Sequence, residues 1–366
     1  MGDFWARFPG SSPVASATVR FTDHHVHLLA TAAAHLSVDV SAAQTIAEVC
    51  ALLAPRGTGW LRGWGYDESL LEEGRHPTRD DLDRANPRQP VVLHHRTGHA
   101  AVLNSAALAE VGEEDHPDGV LFDRHDVLGR VPRVPADALE AAAAEVSREW
   151  ARHGVACFTD ATQTNGLEEL ALISSWRDRG VVVQEVTAMV GEPPPGLAHG
   201  QLVGGVTVGH VKLMPGEHLG ARVASAHAAG FPVAVHTVDV SDLEAALAAF
   251  ESSAAPTGLR DRVEHNALCL PEQVTRLASS GAAVVVNPSF LVHRAAKYRG
   301  QLSEVERSWL IRMGSLLRAG IPLRAGSDSP VAPSRPAEMM AAAMAHPFNP
   351  AESVDRAAAE LLVAPL

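Results

Sequence analysis

Gly230-Phe231-Pro232-Val233-Ala234-Val235-His236 joins a glycine to a short, almost wholly apolar run that ends in a histidine. Residues 220–229 before it carry the pattern of an amphipathic helix. Glycine suits the position after a helix, where the chain often needs a positive φ that a Cβ would resist. A near-continuous apolar run suits a strand of parallel sheet buried on both faces.

The same unit recurs. Residues 137–153 lead through Gly154 to 155–159, 167–179 through Gly180 to 181–186, and 271–280 through Gly281 to 282–286. Residues 303–319, opened by a capping box of Ser303 and Glu306, lead through Gly320 to 321–325. Residues 20–28, 206–213 and 261–268 add three more strands. Eight strands alternating with helices predict an α/β fold, a closed (β/α)8 TIM barrel rather than an open sheet. Residues 56–136 break the rhythm, with strand-like pieces at 59–66 and 90–95 around the polar stretch 67–88. They read as a long insertion after the first strand that overhangs the active-site face or forms a subdomain. No repeat or low-complexity linker divides the chain, so residues 1–366 are expected to form a single barrel unit.

Composition narrows the partners. The chain is 46% hydrophobic and 20% charged, ordinary for a globular enzyme, with a net charge of −13. That charge disfavours nucleic acid and anionic membrane surfaces and leaves a small-molecule substrate as the expected partner. Three dispersed cysteines, Cys50, Cys157 and Cys269, make no disulfide framework and suit a reducing cytoplasm. The start, Met1-Gly2-Asp3-Phe4-Trp5-Ala6-Arg7, lacks the pattern of a signal peptide, and Ala6 stands where myristoylation wants Ser or Thr. The alanine-rich runs are broken by charge and read as helices, not membrane spans. A homodimer is the expectation from frequency alone.

The chemistry lies at the strand ends. The first strand closes with Thr22-Asp23-His24-His25-Val26-His27. Alternation puts His25 and His27 on one face, a natural metal-binding pair. His236 ends the run 231–235, His265 ends Arg262-Val263-Glu264-His265, and Asp328 ends Leu323-Arg324-Ala325-Gly326-Ser327-Asp328. Each alone reads as a satisfied core histidine or a helix-capping aspartate. Together they fall at four strand ends, where barrel active sites are assembled. Nitrogen and carboxylate donors of this kind suit Zn2+, one ion or two, and also iron, nickel or manganese. Lys212, near the end of the strand 206–213, is either a lysine whose tip reaches solvent or a buried one that must be paired, neutralised or modified. As N6-carboxylysine it would bridge two metals.

The order of these motifs resembles the amidohydrolase superfamily, which the resemblance equips with H-x-H on strand one, a lysine or acidic ligand on strand four, histidines on strands five and six and an aspartate on strand eight. His25, His27, Lys212, His236, His265 and Asp328 match in that order. The N-substituted formamide deformylase-like subgroup is similar in Gly63-Trp64-Gly65-Tyr66-Asp67, in Pro77-Thr78-Arg79-Asp80-Asp81-Leu82-Asp83 and in the run from Gly98-His99-Ala100 through Asn104-Ser105 to Leu108. Arg262-Val263-Glu264-His265 and Gly326-Ser327-Asp328-Ser329-Pro330-Val331 continue the likeness. Two departures stand out. The family's accessory β-sandwich is expected to be absent or vestigial. Met214-Pro215-Gly216-Glu217-His218-Leu219-Gly220 lacks the subgroup's Asp-Gly pair.

The expected function is metal-dependent hydrolysis of a carbon–nitrogen bond other than a peptide bond, an amide or an N-formyl or N-acyl group. Metal would lower the pKa of bound water to yield the attacking hydroxide. Asp328 would be the general base, with His236 or His265 binding metal or stabilising the oxyanion. His99, Trp64, Tyr66 and Arg96 of the insertion are candidates to meet substrate; each is otherwise a loop or packing residue. A deaminase or decarboxylase on the same metal site is the alternative within enzymes, and a barrel that binds ligand or metal without turnover the alternative outside them.

Overall fold

A computed structural model describes residues 20–365. The amino-terminal stretch read above for a leader or lipid site lies outside the described residues. In chain order the strands are β1 (Phe21–Val26), β2 (Val38–Asp39), β3 (Leu61–Tyr66), β4 (Val91–His95), β5 (Ala100–Leu103), β6 (Val120–Phe122), β7 (Val155–Asp160) and β8 (Glu185–Val190). Then come β9 (Leu202–Val203), β10 (Val206–Leu213), β11 (Val233–Thr237), β12 (Arg262–His265), β13 (Ala283–Val286) and β14 (Leu323–Ala325).

Eight of them form one parallel sheet in the order β1-β7-β8-β10-β11-β12-β13-β14, and the short β9 pairs antiparallel with β10. A parallel bridge between Val26 and Ser329 brings the last strand's extension back to the first and nearly closes the barrel. Gly326 makes that seam possible: a Cβ there would lie 2.4 Å from the His25 Cβ and 2.6 Å from the His25 nitrogen.

The barrel is held by its helices. Ala136–Arg152 turns Ala142, Ala143, Val146 and Trp150 inward, and the Trp150 ring meets Phe158 of β7 edge-on at 5.1 Å. Trp150 is 3% exposed, so truncation to alanine should cost about 3–5 kcal/mol. Gly154, Gly180, Gly230, Gly281 and Gly320 all have φ between 72° and 82°, the left-handed backbone expected after each helix.

Two expected elements form differently. The apolar run 181–186 is not the third barrel strand; the strand is Glu185–Val190. The Val181 and Val182 amides turn back to the Trp176 carbonyl, and the Val183 amide donates to Ser147 Oγ, so these groups are spent before the ladder begins. The expected helix 303–319 splits into Glu304–Ser308 and Met313–Arg318. Between them Leu310 bridges to Leu268 and Ile311 takes φ 38°, which an uninterrupted helix forbids. The capping box of Ser303 and Glu306 is present.

Between β1 and β7 the chain builds a second sheet, β2-β3-β4-β5-β6, with parallel pairing up to β4 and antiparallel pairing beyond. Both faces are covered. Val91 and Leu93 join one apolar cluster with Val49, Leu53 and Tyr66, while Val92 joins another with Leu103, Leu108 and Leu121. That explains why Val91-Val92-Leu93 is continuously apolar rather than alternating. Among the described residues the strands form these two sheets and no β-sandwich. No described helix is long and apolar enough to cross a membrane.

Candidate metal centre

Three strand ends bring donor atoms together. One ligand atom each from His25, His265 and Asp328 lies within 4.8 Å of the others. His25 is fully buried in β1. Its Nδ1 lies 2.5 Å from Glu264 Oε2 and its Nε2 lies 3.4 Å from Asp328 Oδ1. A carboxylate only accepts here, so the ring proton sits on Nδ1 and Nε2 keeps its lone pair. At the end of β12, His265 Nδ1 lies 2.7 Å from Asn287 Oδ1, and Asn287 Nδ2 donates to the Gly326 carbonyl at 2.9 Å. The amide is thereby oriented, and His265 too presents Nε2.

Backbone strain shapes the cluster. His265 has φ 70°, Asn266 φ 47° and Asp328 φ 61°. Such left-handed residues cost about 1–3 kcal/mol each and persist where the surroundings over-determine them. The turn at His265 breaks the alternation of β12. Glu264 reaches the His25 Nδ1, and the ring of its immediate neighbour His265 lies 4.6 Å from the His25 ring. A regular strand would send the two to opposite faces.

The remaining predicted ligands surround this core. His27 Nε2 lies 3.0 Å from Asp328 Oδ1, while its Nδ1 meets Thr162 Oγ1 at 2.9 Å. The His236 ring is 4.5 Å from that of His265. Lys212 is only 2% exposed and its Nζ has no hydrogen-bond partner. Its tip does not reach solvent, which answers the alternative left open by the sequence.

Electrostatics favours metal over protons. Burial, then the Lys212 charge, pushes the His25 pKa down to about 4 against the pull of Glu264. Burial and the His25 charge push His265 down to about 3. Burial chiefly lowers His236 as well. Asp328 goes the other way: burial would raise it, but the His27 hydrogen bond and the charges of His265 and His25 hold it well below the carboxylate range. Burial lowers Lys212 to about 8, opposed by Glu264 and Asp328. Neutral imidazoles and an ionised carboxylate are the ligand forms a divalent metal requires. The unpartnered His25 Nε2 is a buried nitrogen with a lone pair to give. The donor set therefore fits such an ion.

Of the residues expected to meet substrate, His99 comes beside a candidate ligand, its ring 5.9 Å from that of His236 and its Nδ1 2.8 Å from Asp123 Oδ1. Arg96 lies against Asp67 at 3.9 Å. Tyr66 is 1% exposed, with its hydroxyl 3.0 Å from His76 Nδ1. Trp64 tilts against His94 of the neighbouring strand.

Several participants escaped the sequence reading. Glu264 stood in a quoted motif, and a carboxylate inside an apolar barrel strand was the signal. Asp23 accepts from the Ser327 amide at 2.9 Å and from Ser334 Oγ at 2.5 Å, tying β1 to the loop after β14. A second donor group, Asp67, Glu68 and His95, lies in the insertion, with Lys297 Nζ 3.7 Å from Asp67 Oδ1. Nothing local marks it.

Comparisons with known proteins agree with this architecture. The chain is 24% identical over 383 residues to YtcJ of Bacillus subtilis, named an amidohydrolase, covering 86% of this chain and 70% of that one. It is 36% identical over 143 residues to the N-substituted formamide deformylase of Arthrobacter pascens, but this spans 36% of this chain and only 25% of the deformylase. An uncharacterized metal-dependent hydrolase from Pyrococcus horikoshii shares the fold, with a TM-score of 0.70 at 22% identity over 93% of this chain and 78% of that one. The model of the amidohydrolase family matches residues 21–359, nearly the whole described barrel and its second sheet, and the chain belongs to that family.

Proposed function

We propose that the protein is a metal-dependent hydrolase that cleaves a carbon–nitrogen bond, an amide or an N-formyl or N-acyl group, in a small molecule. The observation that carries this reading is the convergence of His25, His265 and Asp328 from three strand ends, with a lone pair of His25 left unpartnered. His27, His236 and Lys212 complete the ligand set. Lys212 carboxylated at Nζ would add an anionic oxygen and neutralise a buried cation. The partial likeness to the deformylase favours an N-formyl or N-acyl group.

A bound divalent metal supplies Lewis acidity and lowers the pKa of water. The protein's own groups do the rest. Asp328, ionised and held by His27, accepts the proton from the attacking water and delivers it to the leaving nitrogen. His236, beside His265, either binds metal or faces the developing oxyanion. His99, its ring beside that of His236, reaches substrate from the insertion.

Metal analysis of the purified protein tests the reading, followed by assays for formate, carboxylate, ammonia and CO2 release across formamides, amides and N-acyl compounds. Near-stoichiometric transition metal and C–N hydrolysis are expected. A well-folded chain that binds no metal would overturn it. Ammonia release from an amine or CO2 release would move the chemistry to a deaminase or decarboxylase.

A further inference from the structure

Glu264 is fully buried in the barrel, where an unpaired carboxylate would cost several kcal/mol. Both of its oxygens are used. Oε1 accepts from Arg262 Nε at 2.8 Å and Oε2 from His25 Nδ1 at 2.5 Å. Arg262 is itself anchored by donating to the His24 carbonyl at 3.0 Å. The result is a closed tie between β1, which carries His24 and His25, and β12, which carries Arg262 and Glu264. These strands are not neighbours: β13 and β14 stand between them around the barrel.

We infer that Glu264 is the positioning residue for His25, holding the ring in its Nδ1–H tautomer so that Nε2 faces Asp328 and His265 as a ready metal ligand. This rests on the metal reading above. A purely structural ion pair would be complete with Arg262 alone. Instead the second oxygen is spent on His25, whose other nitrogen has no partner. Arg262 Nε donates to Oε1 and fixes the rotation of the carboxylate, which leaves Oε2 to accept from the imidazole. A carboxylate behind a metal-binding histidine sets ring orientation and raises its basicity, and its loss costs about 10–100-fold in metal affinity. The left-handed backbone at His265 is part of the same device, because it lets adjacent residues act on one ring, Glu264 from behind and His265 from beside it.

The test uses the full chain with isotope-labelled histidine, stripped of metal by chelator. In the parent protein, NMR should show a pyrrole-type Nδ1 and a pyridine-type Nε2 for His25, identified by their loss in His25→Gln. In Glu264→Gln the tautomers should mix or reverse, and zinc affinity by competition with a chelating dye should fall about 10–100-fold. Should the lone buried Arg262 charge prevent that variant from folding, Arg262→Met combined with Glu264→Gln removes both charges and should show the same tautomer change. An unchanged His25 tautomer together with parent zinc affinity, in either folded variant, overturns the inference. A parent protein that binds no zinc defeats the metal reading, and the tautomer comparison then decides the role of Glu264 by itself.

Discussion

Nε2 of His27 lies 3.0 Å from Oδ1 of Asp328, joining the last residue of the first strand's motif to the last residue of the eighth's. This contact and the amide of Asp328, which donates to the His25 carbonyl at 2.7 Å, fix the carboxylate at the barrel seam. Asp328→Asn preserves the shape and removes the proposed base. Steady-state kinetics should show kcat lower by about 10²–10⁴-fold, the usual worth of a positioned proton-transfer group. Metal content measured on the same samples separates loss of the proton-transfer group from loss of a metal donor. Retained turnover would assign the base elsewhere.

Lys212 is buried without a hydrogen-bond partner, and its charge acts on His25 and Asp328. If it carries a carboxyl group, intact mass under native conditions will show that added mass in the metal-loaded protein and not in Lys212→Arg. Lys212→Ala should lose metal, and a small carboxylate such as formate should restore part of the binding. A plain lysine in a fully loaded protein would decide for a single-metal site.

Gly326 tests the seam. A methyl group there would fall 2.4 Å from the His25 Cβ. Gly326→Ala must push β1 and the end of β14 apart, and overpacking of this kind costs about 1–3 kcal/mol. Denaturant unfolding should register the loss, and metal affinity should weaken with it because His25 moves. An unchanged midpoint would mean that the seam relaxes freely.

The insertion supplies a pH prediction. Asp81 is 2% exposed and accepts from Arg75 at 2.7 Å and from the Thr78 amide at 2.9 Å. Burial would raise its pKa, but these hydrogen bonds lower it to about 2. A depressed carboxylate stabilises the fold above its unfolded pKa and stops doing so as pH falls through the folded one. Asp81→Asn should therefore cost about 2 kcal/mol at neutral pH. The gap between parent and variant should close between roughly pH 4 and pH 2. A pH-independent gap would exclude ionisation as its source.

Much of this protein was legible in the chain alone. The alternation of amphipathic helix, glycine and apolar strand is a local property, so five helix-ending glycines and four of the barrel strands that follow them could be placed from it. The candidate ligands His25, His27, His236, His265 and Asp328 stand at strand ends, and strand ends are set by the same local pattern. Local pattern failed where tertiary partners intervened. Ser147 and Trp176 captured the amides of 181–183 and delayed the third strand, and the bridge of Leu310 to Leu268 cut a helix in two.

Only the return of the barrel on itself decided how the candidate ligands are presented. Glu264 and His25 are 239 positions apart, and nothing in the spacing of either foretells a 2.5 Å contact. Alternation even predicts that Glu264 and His265 face opposite ways; the positive φ of His265, imposed by its surroundings, turns both toward His25. Residue types and strand ends follow from local periodicity, whereas the tautomer of a histidine and the partner of a buried lysine depend on groups that meet only when the sheet comes round on itself.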